Sequence, residues 1–428
     1  MRNKVKNLFK KPFVRNVLII STGTAAAQAI TMLFAPFITR IYGPEAFGML
    51  GVFTAIVAVI APVAALTYPI AIVLPKNDGE AKGLIKISLY VSAIIALIVA
   101  LVLLFFHNSI VHLLNIEEIA PFLYLIPLVI IFSAFLQVSE QWLIRTKQFG
   151  VTAKVTFMNA LILNVAKVGL GWYNPVGAVL VILTTLGTAV NAIMLILGSK
   201  NFKDKIEVSS TNILTIKELV KKYRDFPLYR SPQVFVNAIS QSLPVLLLTS
   251  FFGPVSAGFY TISRTVLIMP ISLIGKSVGD VFYPKITEAT NNGKNISEMI
   301  LKATLALAVL GVIPFGIVIA FGPWLFGLVF GSEWILAGEY ARWLAFWLFF
   351  MFINKPSVIA IPILGLQKSF LVYEVISIIA KILALIFGFF IFENDVVAIA
   401  LYSLIGVFAY IYLILWVLKS SKSYSKRY

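Results

Sequence analysis

Apolar runs long enough to cross a bilayer recur along this chain, separated by short polar connections. A spanning helix needs about 20 mostly apolar residues, with its backbone hydrogen bonds closed inside the segment. On that rule the pattern predicts twelve helices, at about 17–39, 46–73, 84–106, 120–144, 151–173, 176–198, 232–252, 257–282, 299–321, 336–363, 369–392 and 395–418. The expectation is an all-α integral membrane protein with six transmembrane helices in each of two lobes. The N-lobe covers 1–198, a connection 199–231, the C-lobe 232–418 and a basic tail 419–428.

A short motif supports two related halves. Arg40-Ile41-Tyr42-Gly43-Pro44-Glu45-Ala46-Phe47-Gly48 is echoed by Ser250-Phe251-Phe252-Gly253-Pro254-Val255-Ser256-Ala257-Gly258, with Gly43 and Gly253 210 residues apart. Pro75-Lys76 and Pro284-Lys285 repeat at nearly the same spacing. Internal repeats of this kind typify transporters. In the long connection, Thr215-Ile216-Lys217-Glu218 reads as a capping box opening a helix. Its apolar positions Ile216, Leu219, Val220 and Tyr223, with basic residues on the other faces, suit a helix on the cytoplasmic membrane surface. A tether between the halves is its simplest role.

Composition agrees with the pattern. The chain is 60% hydrophobic and 12% charged, with a mean hydropathy of +0.95, against roughly 25% charged residues in soluble domains. Cysteine is absent, which removes disulfides and thiol chemistry, and two histidines do not make a histidine metal centre. The formal charge of +17 does not mean nucleic acid in such a chain, because its location matters more than its sum. Most of the 35 Lys and Arg fall at the termini or in alternate connections on one side; the opposite connections hold Arg40 and mainly acids such as Glu117, Glu118, Glu333 and Asp395. Both termini are therefore expected in the cytoplasm. The apolar run after the basic start continues to Thr39, so it is expected as an uncleaved first span.

Enzyme motifs for nucleotides, metals or sugar nucleotides are missing from the sequence. No catalytic residue, metal or other cofactor is expected. The informative residues are charges inside spans, which are costly in hydrocarbon and usually face a cavity. The basic ones are Lys167, Arg264, Lys276, Arg342, Lys355 and Lys381. Arg264 is twelve residues before Lys276, about 18 Å along a helix, and has no acid within one turn. It suits either an anionic group such as phosphate or an acid on another span. Lys276 and Asp280 can pair on one helix face near the cytoplasmic end. Glu374 and Lys381 share a helix face and either bind ions or hold helices together. Glu339 and Arg342 read as a rim pair, and Glu140 as a partner of Arg145. Lys355, before Pro356, sits on a kinked helix, and Lys167 lies one turn after Asn164. The cavity candidates are thus Arg264, Lys167, Arg40, Lys381, Arg342 and Lys355. Polar faces on the first span of each half, with Gln28 and Thr31, then Gln233, Asn237, Ser240 and Gln241, serve either a hydrophilic cavity or helix packing.

The stretch Ala35-Pro36-Phe37-Ile38-Thr39-Arg40-Ile41-Tyr42-Gly43-Pro44-Glu45-Ala46-Phe47-Gly48 resembles the N-terminal signature of Wzx-type polysaccharide flippases of the multidrug/oligosaccharidyl-lipid/polysaccharide superfamily. Gln141-Trp142-Leu143-Ile144-Arg145-Thr146-Lys147-Gln148-Phe149-Gly150 is similar to that family's fourth-span exit, and Leu243-Pro244 to Gly258-Phe259-Tyr260 also resembles it. The resemblance implies two six-helix lobes around a central cavity open to one side at a time. It also implies a substrate, an undecaprenyl-diphosphate-linked oligosaccharide, carried outward across the bacterial cytoplasmic membrane. Membrane lipids and the polymerase and assembly proteins of a polysaccharide pathway are the implied partners, and Arg264 matches the family's basic cavity. A cation-coupled multidrug exporter of the same fold is the alternative. The uncharged second span departs from some relatives.

Overall fold

The computed structural model describes residues 12–114, 116–199, 215–291 and 295–425. Among these every regular element is helical. Contacts gather them into two compact units, Met1–Pro254 and Val255–Tyr428.

Unit 1 contains α1 (Pro12–Ile60), α2 (Tyr68–Ala71), α3 (Asp78–Leu114), α4 (Ile126–Arg145), α5 (Phe149–Tyr173), α6 (Gly177–Gly198), α7 (Ile216–Lys222) and α8 (Ser231–Phe252). Packing thus groups α8 with the first unit, whereas the sequence repeat assigns 232–252 to the second half.

Eleven described segments are long and apolar enough to cross a membrane. The difference from the expected twelve lies in α1, which runs through both of the first two predicted spans. Its apolar part, Ser21–Val63, has 43 residues, about 65 Å of straight helix against an apolar layer of about 30 Å. Gly43 breaks it, with φ 69° and ψ 174°.

Gly253, which separates α8 from the next helix, has nearly the same backbone, φ 85° and ψ 175°. This conformation is essentially restricted to glycine. Each glycine precedes a proline that opens the following helix, where a missing N–H costs nothing. The two motifs therefore share a local geometry as well as a sequence. The likeness ends within a few turns. After Pro44 the helix stops at Ile60, a 3-10 turn covers Ala61–Val63, and α2 follows; after Pro254 one helix continues to Asn291. Pro75 lies in the turn before α3, while Pro284 sits inside a helix, so their echo in sequence is not an echo in structure.

Small residues let the helices of unit 1 approach closely. A Cβ at Gly23 would meet Ala153 of α5, and one at Gly171 would meet the Tyr42 ring, whose hydroxyl donates to the Lys167 carbonyl at 2.8 Å. Arg145, at the end of α4, does not pair with Glu140 as expected. Its guanidinium reaches Asp78 at 2.8 Å and the carbonyls of Ile72 and Pro75 at 3.1 and 2.6 Å. It pins the turn between α2 and α3, whose carbonyls have no helical partners.

The connecting helix α7 opens with the expected capping box. Thr215 N–H donates to Glu218 at 2.7 Å, and Glu218 N–H donates back to the Thr215 hydroxyl at 3.4 Å. Leu219 and Tyr223 are buried against Tyr68, Ala71, Leu84 and Trp142. Lys222 reaches Glu80 at 2.7 Å. Of the four apolar positions expected on the membrane surface, only Ile216 and Val220 stay exposed. The helix is clasped to unit 1 because its Leu219–Tyr223 edge finds an apolar partner there. The Lys222 pKa is raised, chiefly by its hydrogen bond to Glu80. That of Glu218 is lowered, chiefly by the Thr215 N–H.

Unit 2 contains α9 (Pro254–Asn291), α10 (Ile296–Phe330), α11 (Ile335–Ile353), α12 (Lys355–Ala360), α13 (Gln367–Phe392) and α14 (Asp395–Ser425). One end is packed by Phe259, whose ring meets those of Trp334 and Tyr340 edge-on, and by the Ser256 hydroxyl, which donates to Asp395 at 2.6 Å. The other end is packed by Phe282, Ile286, Ile300, Ile361, Leu413 and Val417. Between them lies a charged middle.

Candidate functional site

The middle of unit 2 is assembled from four helices. Arg264 is ten residues into α9 and Lys381 eleven residues before the end of α13, so each lies roughly 15–17 Å from its helix end, near the centre of a bilayer. Successive crossings put those two ends on the same side. Arg264 acts electrostatically on Lys381, and on Tyr260 and Tyr402. The Lys381 ammonium lies 5.2 Å from the centre of the Trp347 ring on α11 and 5.7 Å from that of Tyr402 on α14. Both rings are buried.

Cations over aromatic faces are held by the ring quadrupole, most strongly over Trp. Among the described residues no carboxylate comes within 4.0 Å of Lys381. Glu374, seven residues earlier on the same face of α13, acts on it at longer range. Glu374 also acts electrostatically on Tyr373 and Tyr410. The cluster therefore brings two cations, Arg264 and Lys381, together with the acid Glu374 among aromatic side chains. Such a site suits an anion with a polar body. The sequence marked Arg264, Lys381 and Glu374 separately. It did not mark Trp347 and Tyr402, which come from other helices, or Tyr260, one turn before Arg264 on α9.

Arg342 is engaged differently. Its Nε donates to the Ile319 carbonyl at 3.0 Å and its Nη2 to Ala320 at 3.1 Å, while Nη1 meets Glu339 at 3.1 Å. Pro323 has no N–H to offer the Ile319 carbonyl one turn earlier, and α10 bends at Phe321, φ −119° and ψ 15°. Arg342 supplies the missing donors. Its fork is spent on that bend and on Glu339, the expected rim pair.

Lys355 begins α12 after the break at Asn354, and its chain runs alongside Gly275 of α9. It lies twenty residues from the start of α11, about 30 Å along the bundle, well past Lys381 and toward the opposite end. The side chains of Lys276 and Asp280 lie outside the described residues. Nearby, Leu273, Val278, Phe282, Ala303, Leu307 and Lys285 line a shallow, open and mainly apolar groove of ≈ 520 Å³ between α9 and α10.

In unit 1 the candidate residues are dispersed. Lys167 is half-buried on α5, one turn from Asn164, which donates to Thr31 at 3.3 Å. Part of the polar face of the first span thus serves packing against α5. Arg40 is exposed just before Gly43. On α8, Gln233, Asn237 and Gln241 form an exposed polar stripe at one-turn spacing, with Gln241 donating to Asn237 at 2.9 Å.

Residues 37–339 match the family described as polysaccharide biosynthesis protein. No curated protein matches the sequence. Solved structures match over nearly the whole chain. A multidrug resistance MATE family transporter of the MOP superfamily, in an inward-facing conformation, superposes with a TM-score of 0.72 at 17% identity, covering 93% of this chain and 96% of its own. The lipid II flippase MurJ, in an inward closed conformation, gives 0.73 at 15% identity, covering 95% and 90%. A MOP superfamily transporter from Pyrococcus furiosus, whose description notes a reversed polarity of the binding pocket, gives 0.63 at 14% identity over 97% of each chain.

Proposed function

The chain belongs to the polysaccharide biosynthesis protein family, and on that premise we propose that it is a flippase for an anionic, lipid-linked oligosaccharide. It is a multi-pass membrane protein with the fold of MOP superfamily transporters. The proposed substrate is an undecaprenyl-diphosphate-linked oligosaccharide, moved from the cytoplasmic to the outer leaflet of a bacterial cytoplasmic membrane. Lobes 1–198 and 232–418 open alternately to either side in this reading, and both termini lie in the cytoplasm.

The observation that carries the proposal is the nearness of Arg264 and Lys381 at mid-bilayer depth, on helices far apart in sequence. Arg264 and Lys381 oppose one another's charge, and an anion bound beside them relieves that opposition. A diphosphate offers that charge, and the planar fork of Arg264 matches its oxygens. The aromatic rings of Trp347 and Tyr402 suit sugar faces, and the open apolar groove between α9 and α10 suits an isoprenoid chain. Lys167, Arg40 and the exposed amides of α8 are proposed as further polar positions on the route. A cation-coupled exporter of cationic drugs asks for the opposite balance of charge. The experiment is replacement of Arg264 in a strain that depends on this protein for surface glycan, with export and membrane level measured together.

A further inference from the structure

The charged cluster of unit 2 contains one cation that can change its charge and one that cannot. Arginine stays protonated at any pH a cell meets, whereas lysine is a proton-exchanging group when it is taken out of water. The surroundings of Lys381 fit an exchanging role. It has no carboxylate within ion-pair distance among the described residues, so no salt bridge fixes its charge. Its ammonium rests instead on the Trp347 and Tyr402 rings, which hold the charged form and leave the neutral amine in place without a clash. Its side chain is not fully enclosed by the protein.

The groups that face Lys381 are few. Arg264 comes from α9, with Tyr260 beside it. Trp347 comes from α11 and Tyr402 from α14, and Glu374 lies on its own helix and acts in turn on Tyr373 and Tyr410. Arg264 opposes the charge on Lys381, and Glu374 favours it. An anion entering beside Arg264 adds a second favouring charge at short range. Linkage then requires that whatever the anion does to the proton, the proton does to the anion.

We propose that Lys381 takes up a proton from solvent when an anionic substrate group binds beside Arg264, and returns it when that group leaves. The amine gains one proton and one positive charge on loading and loses both on unloading. The charge of the cluster thus follows its occupancy, and the empty transporter does not carry two facing cations through the bilayer. This rests on the anionic substrate proposed above.

The test uses the purified full chain in nanodiscs of neutral lipid and farnesyl-diphospho-N-acetylglucosamine as the probe. Its diphosphate is a diester with no titrating group between about pH 6 and 9, so any pH dependence belongs to the protein. The expected result is binding at least about fivefold weaker at the upper end of that range than at the lower, with net proton uptake on binding in weak buffer. Lys381→Arg keeps a cation that does not titrate. It is expected to bind with less than about twofold change across the same range and without proton uptake. Glu374→Gln is expected to keep the pH dependence. Wild-type binding that is independent of pH overturns the proposal while leaving the anionic substrate intact, as does equal pH dependence in wild type and Lys381→Arg. Absence of probe binding at every pH overturns both.

Discussion

Gly48 lies directly against Pro254: a side chain added at Gly48 would run into the Pro254 backbone. Gly48 closes the first Gly-Pro motif and Pro254 belongs to the second, so two stretches separated by 206 positions in the sequence meet within unit 1. Gly48→Val is expected to destabilise the protein for that reason, since backbone cannot give way as a side-chain tip can. Thermal unfolding in detergent measures it.

Gly43→Ala and Gly253→Ala are each expected to cost about 1–3 kcal/mol, because both positions hold a backbone that other residues adopt only with strain. Gly279 provides the control. It lies inside α9, and a methyl group added there would meet nothing within 4 Å, so Gly279→Ala should be neutral or stabilising by roughly 0.5–1 kcal/mol. Equal shifts at all three positions contradict the shared turn geometry.

The clasp of α7 on unit 1 predicts a loss of about 2–5 kcal/mol for Leu219→Ala, read as faster proteolysis at the exposed lysines of α7. Its pH window follows from the two shifted groups. Glu218 is lowered, so its capping contribution is present above the usual carboxylate range and is lost as pH falls through the lowered value. Lys222 is raised, so its contribution is present below the usual lysine range and is lost as pH rises through the raised value. Protection of α7 should therefore be flat between about pH 5 and 9. A step within that range contradicts the assignment.

Arg342→Met should lower stability without a specific effect on substrate binding. It strands the Ile319 and Ala320 carbonyls at the α10 bend and removes the partner of Glu339, each lost hydrogen bond costing about 1–3 kcal/mol where the group is buried. Arg342→Lys restores a charge but not the fork. Normal stability in Arg342→Met, with weakened probe binding, would return this residue to the substrate path.

The sequence carried much of this fold because its strongest signals are local. The apolar runs gave the membrane helices, Gly43 and Gly253 the repeated turn, and Thr215 with Glu218 the cap of α7. What it did not show depends on partners brought from afar. Arg145 has Glu140 five residues away, yet it reaches Asp78, because the carbonyls of Ile72 and Pro75 beside that acid add acceptors Glu140 cannot. Leu219 and Tyr223 looked ready for a membrane surface, and the apolar pocket that buries them is made by residues 68–142. Nothing in the sequence singles out Trp347 and Tyr402, which the fold brings against Lys381 from two other helices. Arg342 had a legible signal in Pro323, whose missing N–H frees a carbonyl one turn earlier.

The orientation of the chain rests on the charge asymmetry of its connections. With no native cysteine, single substitutions report it cleanly. Glu117→Cys is expected to react with an impermeant thiol reagent in intact cells, and Lys217→Cys only after the membrane is opened. The reverse pattern contradicts cytoplasmic termini.

The most direct test of the flippase assignment is glycan export by Arg264→Ala, in a strain deprived of its own polysaccharide flippase and complemented with this protein. The account predicts that Arg264→Ala is made and inserted at normal level but exports no glycan, and that Arg264→Lys retains part of the activity through its charge. Full export by Arg264→Ala at normal membrane level contradicts the account.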